Sequence, residues 1–384
     1  MNDIIYMDNH ATTPIAPEVL DAMLPYLTNH FGNASSTHPF GVYAKDGVDK
    51  ARHQVANLLG CSPEEIIFTS GATESDNLAI MGAAYAYKDK GNHIITSTVE
   101  HHAVLDACHA LDKKGFETTY LSVDKYGMVS PDDVEAAITP KTILMSFMYA
   151  NNEVGTINPI QDIAKIASKH GVLFHSDAVQ GIGKLESKME VLGLDMASIT
   201  AHKIYGPKGI GALYIKDGIQ LDPLFYGGGQ EKSVRPGTLN VSGIVGLGAA
   251  CESCQTAMEL KTEEKVVGPL RDTLYQKLAS ELTDIHLNGH PENRLLGNLN
   301  LCFAGVQSHA LLAGLKSVAV STGSACDSES VTASHVLVAM GIPNELAVTA
   351  VRFGLGRYNT DGEVDTVANE VIQTVNRLRV LAEE

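Results

Sequence analysis

Short apolar runs alternate with longer amphipathic stretches over the first two-thirds of the chain. The runs, rich in β-branched and aromatic residues, cover 65–70, 93–98, 142–150, 172–177, 196–200 and 211–215. The stretches between them, such as 71–87 and 160–171, space their apolar residues as a helix does. Strands separated by helices of this length are typical of βαβ units. The pattern therefore predicts an α/β fold with a mostly parallel sheet flanked by helices.

The pattern changes from about Val266 onward. A long helix is predicted over 266–282 and a strand over 296–303, followed by helix, strand, loop and a last helix over 362–381. This mixture indicates a smaller α+β domain. We predict a large domain over 15–260 and a small domain built from 1–14 and 261–384. The boundary near 260 falls in a stretch that could be nearly continuous helix.

Polar residues follow five of the predicted strands at the point where each strand ends. Ligands of open parallel sheets bind beyond the carboxyl ends of the strands. One polar strand end would mean little, but five together indicate a pocket. The residues concerned are Thr73 and Glu74; Glu100, His101 and His102; Asn151, Asn152 and Glu153; Asp177 and Gln180; and His202 and Lys203.

Asp177 and Lys203 end two successive strands, and a buried carboxylate there needs a cation or a donor. A direct ion pair is one interpretation. The other places both on one ligand: the amine forms a Schiff base with an aldehyde, and the carboxylate keeps a ring nitrogen protonated. The glycine turn in "TSGATES" opens a helix whose N-terminus suits a phosphate. Together these demands describe pyridoxal 5′-phosphate (PLP).

The charge and composition of the chain limit the classes of partner that it is expected to bind. The chain has 384 residues, with 28 Lys and Arg against 45 Asp and Glu, a net charge of −17. Such a surface repels nucleic acid and anionic membrane. No apolar run approaches the roughly 20 residues of a membrane span, and "MNDIIYMDNHATTP" lacks the features of a signal peptide. We expect a cytoplasmic protein that binds neither nucleic acid nor membrane.

The six cysteines are too sparse for a disulfide scaffold in a chain of this size. Cys251 and Cys254 form a CxxC pair, but it lies inside a predicted helix and has no second pair at zinc-site spacing. We therefore expect two ordinary helix cysteines and no metal site.

A series of motifs follows in order along nearly the whole chain. They are "YMDNHATTP", "FGNASSTH", "FTSGATESDNLAI", "VEHHAV", "NNEVGTI", "HSDAVQ", "TAHKIYGPKGIGALY", "GGGQEKSVRPGTLN" and "STGSACDSES". In this the chain resembles the cysteine desulfurases, the NifS/IscS-like branch of the class V aminotransferase family. The resemblance implies the PLP-dependent transferase fold of type I, with a sheet of the seven-stranded type in the large domain.

The resemblance also implies roles for residues around the cofactor. Lys203 would carry PLP as a Schiff base, Asp177 would face the pyridine nitrogen, and Gln180 would hydrogen-bond the phenolic oxygen. His101 would stack on the ring and act in proton transfer. The phosphate would be held by the backbone N–H of Ala72 with Thr73, Thr200 and His202, and by Thr238 of a neighbouring subunit. The last contact implies a homodimer.

For the substrate, L-cysteine, the resemblance places Arg352 on the carboxylate; a purely structural Arg352 is the alternative. It places Asn152 near both the cofactor ring and the substrate carboxylate, and Asn33 is a candidate for the same surroundings. Cys326 would take the substrate sulfur as a persulfide, leave alanine, and pass the sulfur to an acceptor such as an iron–sulfur scaffold. Two positions depart from the usual pattern: Asp327 replaces a small hydroxyl residue and Gly354 a serine.

Three other functions remain open at this stage. A selenocysteine lyase or another class V enzyme would keep the cofactor and change the substrate. A sulfur-transfer or assembly subunit could have lost catalysis, although Lys203, Asp177, His101 and Cys326 argue against that. A nucleotide-binding enzyme rests only on glycine turns such as "GPKGIG".

Overall fold

A computed structural model describes residues 4–322 and 333–383. The strands within them are β1 Ile5–Tyr6, β2 Ile66–Thr69, β3 His93–Ser97, β4 Glu117–Leu121, β5 Thr142–Ser146, β6 Leu173–Asp177, β7 Met196–Thr200, β8 Gly211–Ile215, β9 Ile285–Asn288, β10 Asn298–Phe303, β11 Val318–Ala319 and β12 Ala350–Gly354. The α-helices are α1 Pro17–Thr28, α2 Pro39–Leu59, α3 Ala72–Ala86, α4 His102–Asp112, α5 Pro131–Ala137, α6 Ile160–His170, α7 Met189–Leu192, α8 Val241–Glu259, α9 Gly268–Glu281, α10 Ser308–Gly314, α11 His335–Ala339, α12 Asn344–Ala347 and α13 Asp361–Glu383.

The larger sheet has seven strands within the described residues, in the order β2-β8-β7-β6-β5-β3-β4. Its pairs are parallel except those of β8, which runs antiparallel to both β2 and β7. The connection from β7 to β8 is too short for the helical crossover that a parallel strand requires. The predicted α/β fold with a mostly parallel sheet is thus confirmed.

The core of this sheet follows from the alternation of side chains along its strands. Phe68, Phe147 and Phe174 belong to one buried apolar cluster, and Ile67 and Ile94 belong to another. Because successive side chains of a strand point to opposite faces, neighbours 67 and 68 fall into different clusters. Helices therefore cover both faces, and the strand ends stay open for a site.

A second, three-stranded antiparallel sheet has the order β12-β10-β9. It shares a buried cluster with α9 and α13, to which Leu301, Leu274 and Val371 belong. β1 pairs with β11 in a separate parallel ladder. A smaller α+β region after the large sheet was expected, whereas the exact domain limits stay a prediction.

The structure differs from the sequence prediction in several local features, among them β4 and the stretch near residue 260. β4 was not predicted, because "ETTYL" is polar and lies half-exposed at the edge of the sheet. The stretch near 260, which could have formed a nearly continuous helix, is interrupted at Lys261, whose φ of 56° lies in the left-handed region. A π-helical turn, Glu263–Val267, then leads into α9. In the described part of the chain, none of the helices has both the length and the apolar character needed to cross a bilayer.

Candidate active site

The polar strand ends meet around one cavity of about 610 Å³. It gathers most of the site residues predicted from the sequence, namely Ala72, Thr73, His101, Asn152, Asp177, Gln180, Thr200, His202, Lys203 and Arg352. It is also lined by three strand-end residues without an assigned role, Glu74, His102 and Glu153, and by residues that were not expected at the site, among them His10, Ala11, Thr12, Lys208 and His335.

Lys203 lies in a single 3-10 turn, Ala201–Lys203, directly after β7. Its Nζ donates to the carbonyl oxygen of His10 at 2.5 Å and to that of Ala11 at 2.8 Å. Burial lowers the pKa of Lys203 to about 7, and the positive charges of Arg352 and Lys184 act in the same direction. The partners of this amine are thus backbone carbonyls, and near neutral pH a large share of it is the unprotonated nucleophile.

Asp177 is the last residue of β6 and is 8% exposed. The backbone N–H of Val179 donates to its Oδ1 at 3.1 Å. Burial raises the pKa of this carboxyl group, while the nearby His101 and Lys203 act against the rise. A cationic ring nitrogen in the cavity would compensate the buried charge that burial disfavours.

His101 caps the N-terminus of α4, where its Nδ1 accepts a hydrogen bond from the backbone N–H of Ala103 at 3.1 Å. An accepting Nδ1 leaves the proton of a neutral imidazole on Nε2. Burial lowers the pKa of His101, although the carboxylate of Asp177 opposes this effect. The ring is therefore held neutral, with Nε2 as its donor.

Gln180 is buried and fixed by the N-terminal segment. Its Nε2 donates to the carbonyl oxygen of His10 at 3.0 Å, and its Oε1 lies 3.1 Å from Nδ1 of the same histidine. Lys184 donates to the same Oε1 at 3.5 Å. Because Oε1 can only accept, Nδ1 of His10 is the donor. The orientation of the amide is thereby set, and Nε2 keeps a second proton for another partner.

The start of α3 has the features of an anion site. Gly71 has a φ of 155° and places Ala72 and Thr73 in the first turn, where backbone N–H groups lack partners within the helix. In the same cavity, burial lowers the pKa of His202 to about 4, and Lys203 adds to the effect. The hydroxyl of Thr200 donates to the carbonyl oxygen of Ile210 at 3.2 Å.

Arg352, in β12, is fully buried and reaches the cavity from the second sheet. It donates to the carbonyl oxygen of Asn152 at 2.8 Å, to Oδ1 of Asp8 at 2.9 Å and to Oγ of Ser321 at 2.8 Å.

Gly354 lies in the same strand, where the N-terminal segment approaches closely: a Cβ on Gly354 would lie 2.9 Å from the backbone nitrogen of Asn9. The close approach of the N-terminal segment thus leaves little room for a side chain at position 354.

Two predicted site residues, Asn33 and Thr238, are not among the residues that line this cavity. Asn33 is exposed, and its side chain accepts from the backbone N–H of Ser35 at 2.9 Å. Thr238 is exposed in the connection that precedes α8. Cys326 and its neighbour Asp327 lie outside the described residues. The roles expected of these residues stay predictions.

The N-terminal segment is the main contributor that sequence reasoning did not assign. An isolated bridge joins Asp8 to Gly354, and the backbone N–H of Thr13 donates to the carbonyl oxygen of His202 at 2.8 Å. These contacts bring His10 and Ala11 to Lys203. The signal available in the sequence was the polar stretch "DNHATT" between a strand and a helix.

Comparison with known proteins agrees with this arrangement. The profile of the family described as Aminotransferase class-V matches residues 5–367. The chain belongs to this family. A curated relative, the cysteine desulfurase IscS of Anaeromyxobacter dehalogenans (strain 2CP-C), is 50% identical over 381 residues, covering 98% of this chain and 94% of the relative.

Two solved structures are similar to the chain over most of its length. A structure described as a NifS-like protein is 37% identical with a TM-score of 0.91, covering 97% of this chain and 100% of that one. A second, described as SspA in complex with cysteine, is 38% identical with a TM-score of 0.81, covering 92% and 99%. The resemblance to the cysteine desulfurases found in the sequence is confirmed.

Proposed function

We propose that the protein is a PLP-dependent cysteine desulfurase that converts L-cysteine to L-alanine and hands the sulfur to an acceptor protein. The observation that carries the proposal is the Lys203 amine with a pKa of about 7, in a cavity that also holds the buried carboxylate of Asp177 and the open N-terminus of α3. Near-full-length similarity to cysteine desulfurases supports the choice of reaction.

The residues of the cavity fit PLP in three respects. A nucleophilic amine suits its aldehyde, a buried carboxylate suits its ring nitrogen, and a helix N-terminus suits its phosphate. Lys203, Asp177 and the first turn of α3 would hold these parts. PLP, when bound, supplies an electron-withdrawing ring that stabilises negative charge at the substrate α-carbon.

The protein side of the reaction is binding and proton transfer. Asp177 would keep its partner nitrogen protonated, because separating the pair would leave a buried carboxylate without compensation. His101, neutral with its proton on Nε2, is suited to give a proton and take one back. Arg352 would bind the carboxylate of the amino acid, since its planar guanidinium matches that group with two hydrogen bonds.

Cys326 would supply the thiolate that attacks the sulfur of L-cysteine, an assignment that rests on the motif "STGSACDSES". One solved relative is described as a complex with cysteine, which supports this substrate. The name of the curated relatives supports an acceptor in iron–sulfur cluster assembly. We further propose a homodimer in which Thr238 completes the phosphate site of the other subunit, and Asn33 as a minor contributor near the substrate.

Alanine released from L-cysteine under dithiothreitol, compared between wild type and Cys326→Ala, tests the proposal. The wild type should form alanine and sulfide in equal amounts, since the thiol reductant releases the persulfide sulfur. Cys326→Ala should form neither. Cys61→Ala, which removes a half-buried cysteine, is the matched control and should keep full activity. Absence of alanine from wild type loaded with PLP would leave the cofactor proposal standing and refute the substrate; L-selenocysteine is then the next substrate.

A further inference from the structure

The first turn of α3 carries a carboxylate at the place where an anion would bind. Glu74 follows Ala72 and Thr73 and lines the same cavity. Its Oε2 accepts a hydrogen bond from the backbone N–H of Ser70 at 2.7 Å. A carboxylate beside a bound phosphate would repel it and compete for the same donors. A phosphate can therefore bind here only if a nearby positive charge offsets the carboxylate of Glu74.

Arg235 supplies that positive charge. Its Nε donates to Oε1 of Glu74 at 2.7 Å and its Nη2 donates to Oε2 at 3.3 Å, so that the guanidinium meets both oxygens. The side chains are 24% and 11% exposed, so solvent screens the pair only in part. Burial alone would raise the pKa of Glu74, but hydrogen bonds from Arg235 and Ser70 outweigh burial and hold it below its usual value.

The loop that brings Arg235 to α3 is held in an unusual backbone conformation. Glu231, Lys232 and Ser233 have φ values of 44°, 57° and 63°, which non-glycine residues rarely adopt. The buried carboxylate of Glu231 anchors the loop, because it accepts from Arg52 at 2.5 Å and from the backbone N–H of Phe68 at 2.7 Å. Arg235 thus reaches Glu74 from a segment whose shape is fixed by a separate contact.

We propose that Arg235 is a positioning residue of the phosphate site, which neutralises Glu74 and so keeps the start of α3 open to the phosphate of the cofactor. The inference rests on the proposed function, because it takes a phosphate-bearing ligand as the anion. Arg235 acts through Glu74 and need not touch the ligand. Its effect should depend on the negative charge of Glu74 and on the phosphate of the ligand.

A double-mutant cycle that removes each charge in turn, on the full-length apoprotein, tests this dependence. Dissociation constants of PLP and of pyridoxal, which lacks the phosphate, are measured at low salt for wild type, Arg235→Gln, Glu74→Gln and the double variant. Arg235→Gln should weaken PLP binding about tenfold and pyridoxal binding much less. The double variant should return to within about threefold of wild type, because no carboxylate then remains unneutralised.

Two results would overturn the inference. One is a double variant that binds PLP as weakly as Arg235→Gln alone, and the other is an equal loss for PLP and pyridoxal; both would mark a merely structural arginine. Arg235→Lys, which keeps the charge, should bind PLP almost as wild type does, and it remains informative if Arg235→Gln unfolds. If wild type bound PLP no better than pyridoxal, the proposed function would fail and this inference with it. If wild type bound PLP more tightly than pyridoxal and Arg235→Gln bound PLP as tightly as wild type, only the inference would be refuted.

Discussion

The side-chain nitrogen of Lys203 lies 2.5 Å from the carbonyl oxygen of His10. These residues are far apart in the chain, and the contact exists because the N-terminal segment docks against the end of β7. Two backbone carbonyls hold the amine in place without giving it the full negative charge that would keep it protonated. The lysine is therefore both fixed and reactive.

The first prediction concerns the pH dependence of cofactor loading. Only the neutral amine attacks an aldehyde, and the pKa of Lys203 is about 7. The rate at which apoprotein takes up PLP should rise with pH up to about 7 and level off above it, instead of rising toward the ordinary lysine value of about 10.4. Stopped-flow absorbance at several pH values measures this rate.

Lys184→Met provides the matching control for that profile. The positive charge of Lys184 helps to lower the pKa of Lys203. Removing it should raise the pKa, so the midpoint of the rate profile should move to higher pH. A wild-type rate that still climbs steeply well above neutral pH would contradict the low pKa, and an unmoved midpoint in Lys184→Met would contradict the assigned cause.

The second prediction is that Lys203→Ala loses both the visible absorption band of lysine-bound PLP and the formation of alanine. Lys208→Ala is the matched control, because Lys208 lines the same cavity but is exposed. It should retain the band. An unchanged band in Lys203→Ala would assign the covalent link to another amine.

The third prediction concerns Asp177→Asn. An amide cannot hold a ring nitrogen in its protonated form as a carboxylate does, so the ring would withdraw electrons less strongly. We expect PLP to remain attached to Lys203 while turnover of L-cysteine falls by about 100-fold or more. Ser176 is a neighbouring buried polar residue, and Ser176→Ala should lose far less of the turnover of L-cysteine. Near-normal kcat in Asp177→Asn would mean that another group protonates the ring.

Parts of the site could be predicted from the sequence because they depend on local patterns. A strand followed by a glycine turn or a polar residue fixes where Thr73, Asp177 and Lys203 lie along their own elements. Contacts between distant segments of the chain leave no comparable local pattern in the sequence. The Lys203–His10 and Glu74–Arg235 contacts depend on how loops fold back over the sheet, and the antiparallel direction of β8 depends on a short connection.

The fourth prediction separates the two interpretations of Arg352. If it binds the substrate carboxylate, Arg352→Gln should raise the KM for L-cysteine by about 10- to 100-fold, since hydrogen bonds to charged groups contribute about 1.5–3 kcal/mol. If it is only structural, the melting temperature should fall without a selective rise in KM. Asp8→Asn removes the negative charge that lies 2.9 Å from Arg352 but keeps the guanidinium, so this control should alter KM much less.

The last prediction concerns stability and a second buried arginine, Arg294, which is 2% exposed. Its guanidinium donates to the carbonyl oxygens of Asn288, His290 and Val154 and to Oδ1 of Asn298, at 3.0–3.3 Å. Val154 belongs to the loop that carries Asn152 into the cavity. Arg294→Met would remove these four hydrogen bonds, three of which are buried, at about 1–3 kcal/mol for each buried acceptor that stays unsatisfied.

We therefore expect Arg294→Met to lower the free energy of unfolding of the apoprotein by about 2–4 kcal/mol in urea titrations. Arg379→Met is the matched control. Arg379 also donates to carbonyl oxygens, those of Ala304 and Thr283, but one of these bonds is exposed. Water can replace the lost donor there, so the loss should be under about 1 kcal/mol. Equal losses in the two variants would mean that burial of the acceptors does not set the cost.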